Sequence, residues 1–195
     1  AYVKPITRKY LGKLGASLDG EGFKGQFLLT RSGGGAMTVE EAREQPVQLI
    51  LSGPAGGVMG AAEFGSLIGH NNLITIDMGG TSLDASLVIE GSPKLVSRHT
   101  FQGLPISIPT ISVHTIGAGG GSIAWIDDGD HLQVGPQSAG ATPGPACYNR
   151  RGIDPTFTDA ALVLGYIDPS NYLGGSISLD SNLSVQALGA VGDSL

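Results

Sequence analysis

Apolar residues recur at helical spacing near the start of the chain. Ile6, Tyr10, Leu11 and Leu14 share one face, which predicts a helix from Pro5 to about Leu14. Gln26–Thr30 reads as a short apolar strand, and Ser32–Gly35 as a loop. Thr38-Val39-Glu40-Glu41 is a capping-box pattern opening a short helix that Pro46 ends. Val47–Leu51 is then predicted as a strand. Ser52-Gly53-Pro54 begins a helix to about Ile68, with Ala55, Val58, Met59, Ala62 and Leu67 on its apolar side. That helix also holds Gly56, Gly57, Gly60 and Gly65. Each interior Gly costs about 1 kcal/mol relative to Ala, so a backbone or a ligand is expected to pack close to it.

From Leu73 the pattern turns strand-like. Leu73–Ile76 leads to Asp77, a turn covers Met78–Ser82, and Asp84–Ile89 returns. After Gly91-Ser92-Pro93, Lys94–Phe101 forms the third strand of a β-meander. Ile106–Ile116 is apolar and β-branched, with Pro109 breaking it. Ile123–Ile126 and His131–Val134 form a hairpin around Asp127-Asp128-Gly129. Ser138–Gly152 is rich in Pro and Gly and reads as an ordered loop. Thr158-Asp159-Ala160 opens a helix that Gly165 closes. The last twenty residues carry no motif, and no internal repeat is present. Strands and helices with a meander among them place the fold as α/β or α+β.

Composition changes this picture in one respect. Glycine supplies 32 of 195 residues, more than twice the usual share of roughly 7 %. With 41 % hydrophobic residues in ordered blocks, the chain is not low-complexity disorder. The glycines instead cluster at the ends of elements, where turns and close backbone approaches need them. A net charge of −6 without a basic run argues against nucleic-acid and membrane-surface partners. A single Cys fits a reducing compartment such as the cytoplasm. No apolar run reaches the roughly 18 residues of a membrane span. The start Ala1-Tyr2-Val3 suggests a cut end, hence a fragment of a longer protein.

The strongest chemical signal is Asp77-Met78-Gly79-Gly80-Thr81-Ser82-Leu83-Asp84. Two successive glycines let backbone N–H groups converge on one concavity suited to phosphate oxygens, and Thr81 adds a hydroxyl. A carboxylate beside a phosphate is repulsive without a cation, so Asp77 and Asp84 imply Mg²⁺ held partly through water. Gly117-Ala118-Gly119-Gly120-Gly121-Ser122 either wraps a phosphate or lets two backbones cross. It is neither a Walker loop nor a dinucleotide fingerprint, because no Gly-Lys-Ser/Thr follows and Ser122 takes the final Gly position. His70, His99, His114 and His131 lack metal-ligand spacing. Cys147 has no neighbouring base and reads as a packed residue. Asp127, Asp128 and Asp130 read as a solvated hairpin tip, and Arg150-Arg151 as a surface pair.

Several blocks in order resemble the hydantoinase A/5-oxoprolinase family over about Tyr10 to Gly175. They are Ser52-Gly53-Pro54-Ala55-Gly56-Gly57-Val58-Met59-Gly60-Ala61, the Asp77–Asp84 turn, Gly117–Ala124, Val134–Ala141, Pro143–Tyr148 and Thr158-Asp159-Ala160. The resemblance implies a ribonuclease-H-like lobe of the actin, chaperone-ATPase and sugar-kinase superfamily. The family opens hydantoins or 5-oxoproline, or carboxylates ketones, with ATP, together with a hydantoinase B-type subunit or domain. By that resemblance Gly79, Gly80, Thr81 and Ser82 bind phosphates and Gly119, Gly120, Gly121 and Ser122 line the cleft. Asp77 and Asp84 are then catalytic, with Asp77 at Mg²⁺. Residues 1–51 would lead into the lobe, 52–175 would form the ATPase-like domain with the Ser52 helix connecting two lobes, and 176–195 would be a tail. Leu83 stands where the family commonly has a small polar residue, and Thr142 where it commonly has Asp. A second Asp-Gly-Gly-Thr hairpin and a Gly-rich adenosine motif are not in this chain, so the isolated chain is expected to be inactive. A small-molecule kinase and a non-catalytic nucleotide-binding or assembly module are the alternatives.

Overall fold

The computed structural model describes residues 2–101 and 103–194. The chain divides into two compact units. One takes in the chain up to Asp77 together with Ala85–His114. The other takes in Met78–Asp84 and the chain from Thr115 onward.

In the first unit, α1 (Lys4–Gly20) starts with Pro in its first turn and runs past Leu14. Of its predicted apolar face only Leu11 is buried, while Ile6 and Tyr10 stay exposed. Leu11 packs with Met37 and Ala42 in a small core. β1 (Leu28–Thr30) and β2 (Ala36–Thr38) pair antiparallel. The predicted capping box opens α2 (Val39–Glu44): Glu41 N–H donates to Thr38 Oγ1 at 3.2 Å, and Thr38 N–H donates to the Glu41 carboxylate at 2.9 Å. Val47–Leu51 is not a strand. Pro46 opens a 3₁₀ turn, Pro46–Leu49. Ser32 then takes the acceptors a ladder would need, donating from N–H and hydroxyl to Gln48 O and from the hydroxyl to Ile50 O.

α3 (Ser52–Leu67) buries Ala55, Val58 and Ala62 against Val88 and Ile111. Its glycines divide in two. A Cβ at Gly65 would meet His70 O at 2.6 Å, and one at Gly56 would meet the Thr30 methyl at 3.3 Å, so both are close approaches. Among the described residues nothing lies within 4 Å of a Cβ at Gly57 or Gly60, and nothing there explains those two.

β3 (Leu73–Met78), β4 (Leu83–Ile89), β5 (Ser92–Pro93) and β10 (Val113–Ile116) form one sheet with β4 between β10 and β3. The expected meander is therefore altered. The residues that pair with β4 after the turn are Ser92 and Pro93, which the sequence placed in the turn itself. The predicted strand Lys94–Phe101 becomes β6 (Leu95–Val96) and β7 (His99–Phe101) instead. These pair antiparallel with β9 (Thr110–Ile111) and β8 (Leu104–Ile106) respectively. The breaks between these pairs fall beside Pro109, which has no N–H for a ladder.

In the second unit, β11 (Ser122–Ile126) and β12 (Leu132–Ser138) form the expected hairpin, with a register shift between Ser122 and Ala124. α4 (Phe157–Val163) starts one residue before the predicted Thr158, because Thr156 is its N-cap. The last twenty residues contain α5 (Ser181–Gly192), capped by Asp180, whose carboxylate accepts from the N–H groups of Asn182 and Leu183. Cys147, Leu162 and Leu179 form the core. No helix among the described residues is long and apolar enough to cross a membrane.

Asp159, with no exposed surface, ties this unit together. It accepts from Thr156 N–H and hydroxyl, Ala146 N–H, Cys147 N–H and the Ser184 hydroxyl, at 2.7–3.2 Å. One carboxylate thus caps α4, holds the 3₁₀ turn Ala146–Tyr148 and docks α5. Burial pushes its pKa up, but the donors from Ser184, Thr156 and Cys147 outweigh burial and hold it below the ordinary 3.8. Its contribution to stability is complete above that ordinary value and is lost as pH falls through the lower, folded one. Asp159→Ala is expected to cost about 3 kcal/mol in denaturant unfolding, because it orphans buried donors. Asp159→Asn should flatten the acid limb of the stability profile below pH 4.

Candidate functional site

The Met78–Ser82 turn sits in the second unit. Gly79 N–H donates to Ser82 O at 2.9 Å and closes it. Gly80 and Thr81 are exposed and Ser82 is half-buried. Among the described residues, none accepts from the N–H groups of Gly80, Thr81 or Ser82, or from the Thr81 hydroxyl. Exposed backbone donors in consecutive residues of a tight turn are free for water or an anion.

The glycine run lies directly against this turn. Gly120 N–H donates to Gly79 O at 2.9 Å and Gly121 N–H donates to Gly80 O at 2.7 Å. The run therefore lets two backbones cross, and these two of its N–H groups are spent on the turn's carbonyls. A Cβ at Gly119 would fall 2.5 Å from Ser82 N, 2.6 Å from Thr81 N and 2.7 Å from Gly79 O, so no side chain fits. Ser122 is buried, and its hydroxyl accepts from Gly119 N–H at 2.8 Å, bracing the loop from within. Thr158 anchors the far side, donating N–H and hydroxyl to Gly120 O at 2.9 and 2.8 Å.

A cavity of about 520 Å³ opens beside this crossing. Its lining includes Gly79, Gly80, Thr81, Gly120 and Gly121. The same lining includes the side chains of Tyr148, Phe157, Ile167 and Tyr172. Of the remaining predicted site residues, Asp84 is half-buried and accepts from the Thr115 hydroxyl at 2.6 Å. Asp77 is exposed and ends the first unit's share of β3. No group of three or more His, Cys, Asp and Glu residues among the described residues could hold a metal ion by itself.

The aromatic lining escaped the sequence reading. Tyr148 ends the Pro143–Tyr148 block, but nothing local in the sequence marks it as a wall residue. Tyr172 joins it only through the fold, the two hydroxyls meeting at 2.8 Å. Cys147 is fully buried, and burial followed by the Asp159 charge pushes its thiol up to about 12. Asp127 accepts from His131 N–H, Gly129 N–H and Gln133 at its hairpin tip.

Two outcomes follow from this packing. Gly119→Ala is expected to destabilise the chain by about 2 kcal/mol, because backbone must move to admit the methyl group. Gly117→Ala, with nothing within 4 Å of its Cβ, should change stability by no more than about 0.5 kcal/mol. Denaturant unfolding of the pair separates the two. Cys147 should resist maleimide at pH 8 in the native state and react once unfolded.

The Hydantoinase/oxoprolinase family matches residues 1–195. The solved structure of ATP-dependent caprolactamase from Pseudomonas jessenii is 40 % identical, with a TM-score of 0.81, over 98 % of this chain and 28 % of that one. The 5-oxoprolinase of Saccharomyces cerevisiae is 41 % identical over 87 % of this chain and 13 % of its own length. The acetone carboxylase beta subunit of Xanthobacter autotrophicus is 34 % identical over 97 % of this chain and 26 % of its own. This chain thus spans less than a third of the length of each relative. With the match running over its full length, the chain belongs to the hydantoinase/oxoprolinase family.

Proposed function

We propose that this chain supplies a phosphate-holding wall of an ATP site in a cyclic-amide hydrolase. The observation that carries the proposal is the Gly79–Ser82 turn, where the N–H groups of Gly80, Thr81 and Ser82 have no acceptor among the described residues while the Gly79 and Gly80 carbonyls are tied down by Gly120 and Gly121. Such an array is fixed before a ligand arrives, so it stabilises phosphoryl charge with little reorganisation. The ATP-dependent caprolactamase and the 5-oxoprolinase among the relatives support a lactam substrate. The ribonuclease-H-like lobe belongs to the same proposal.

In this reading Gly80, Thr81 and Ser82 donate to phosphate oxygens, with the Thr81 hydroxyl as a further donor. Gly119, Gly120 and Gly121 admit the close backbone approach, and Ser122 braces them. Asp77, with an exposed carboxylate, would hold Mg²⁺ through water, and Asp84, anchored by Thr115, would keep β4 in place. Mg²⁺ would neutralise phosphate charge when bound. The substrate carbonyl oxygen attacks the γ-phosphorus and ADP leaves. Water then adds to the activated carbon, the C–N bond breaks and phosphate is released. A hydantoinase B-type subunit would complete the enzyme. Ketone carboxylation is the second reading, favoured by the acetone carboxylase relative. There the same phosphorylation would activate an enolate oxygen.

The test is ATP turnover by the native polypeptide that carries this segment, with its partner subunit. Asp77→Asn is expected to lower kcat by about 10²-fold, and Thr81→Ala to raise the KM for ATP about tenfold. Unchanged kinetics in both variants would sink the reading. Lactam-dependent phosphate release supports the hydrolase. Phosphate release dependent on a ketone and bicarbonate supports the carboxylase, and a stable phosphorylated product would mean a kinase.

A further inference from the structure

The aromatic and apolar side chains of the cavity lining bear on the substrate, and this inference rests on the phosphate reading of the glycines in the same lining. We infer that Tyr148, Phe157, Ile167 and Tyr172 form a subsite for an uncharged, carbonyl-bearing, largely apolar compound. A neutral lactam fits it, and an anionic lactam such as 5-oxoproline does not.

Three observations support this. First, among the described residues no charged side chain lines the cavity, although its volume of about 520 Å³ lies in the range of small-molecule sites. Arg150 stacks over the Tyr148 ring with its guanidinium carbon 6.0 Å from the centroid, and is not part of the lining. A carboxylate entering here would lose water without gaining a cation, and a phosphate at Gly79–Ser82 would repel it further. Second, the Tyr148 and Tyr172 rings sit 5.8 Å apart and tilted at 44°, and with Phe157 and Ile167 they present apolar surface. Third, in the 2.8 Å contact between the two phenols one hydroxyl donates and the other accepts. The accepting hydroxyl keeps a proton to give to a ligand carbonyl. Burial and the partner hydroxyl push the Tyr148 pKa up, so that group stays protonated at neutral pH.

The experiment is calorimetric titration of the nucleotide-free native polypeptide with ε-caprolactam, 2-pyrrolidinone and 5-oxoproline. The last two share one ring and differ by a carboxylate. Both neutral lactams are expected to bind saturably, and 5-oxoproline at least about tenfold more weakly. Tyr148→Phe or Tyr172→Phe should weaken lactam binding about tenfold, with a cooperative melt lowered by no more than about 4 °C and unchanged binding of a fluorescent ATP analogue. Phe157→Leu keeps the fold and should weaken the lactams while sparing nucleotide. Equal or tighter binding of 5-oxoproline overturns the inference. So does the absence of saturable lactam binding, or lactam binding that both tyrosine variants leave untouched. Displacement of lactam by adenosine would make this wall the seat of the nucleotide base and would also overturn it. Loss of ATP-analogue binding in Thr81→Ala bears on the phosphate reading alone, so the two can fail separately.

Discussion

The second unit is organised by one crossing of two backbones, Gly79–Ser82 over Gly119–Gly121. The atoms a side chain at Gly119 would meet are backbone nitrogens and an oxygen 2.5–2.7 Å away, which have no rotamer to move into. Glycine is therefore a steric requirement at 119. The crossing also sets polarity. It consumes the carbonyls of Gly79 and Gly80 from one side and leaves the following N–H groups without protein acceptors. A donor array with its geometry already fixed is what charge stabilisation needs.

Around that crossing the unit is held by a few highly connected polar groups more than by a large core. Thr158 ties the glycine loop to the start of α4, and Asp159, next in sequence, ties α4 to α5 and to the turn carrying Tyr148. The apolar cluster under them is small, with Cys147, Leu162 and Leu179 at its centre. Movement of Asp159 would thus reach both the loop that supports the donor array and the aromatic lining of the cavity.

Legibility from sequence followed the range of the interaction. Local devices were readable: the Thr38–Glu41 capping box, the Pro54 helix start and the Ile123–Val134 hairpin all depend on neighbours within a few residues. The glycine run was readable only as a choice between wrapping a ligand and crossing a backbone, because the deciding partner lies some forty positions upstream. The strand expected at Val47–Leu51 failed because Ser32, far away in sequence, takes its carbonyls. The continuous third strand failed because pairing with 104–111 competed with pairing to β4. In the candidate site, the Asp77–Asp84 turn was visible as a motif, whereas Tyr172 was not, because its role depends on a hydroxyl contact with Tyr148.

The central claim is that the N–H groups of Gly80, Thr81 and Ser82 receive a nucleotide's phosphates. A crystal structure of the native polypeptide with Mg²⁺ and a non-hydrolysable ATP analogue tests it most directly. The account predicts phosphate oxygens about 3 Å from at least two of these nitrogens, with the Gly120 and Gly121 bonds to the turn intact. Phosphates bound elsewhere, with these N–H groups facing water or capped by protein, would contradict it.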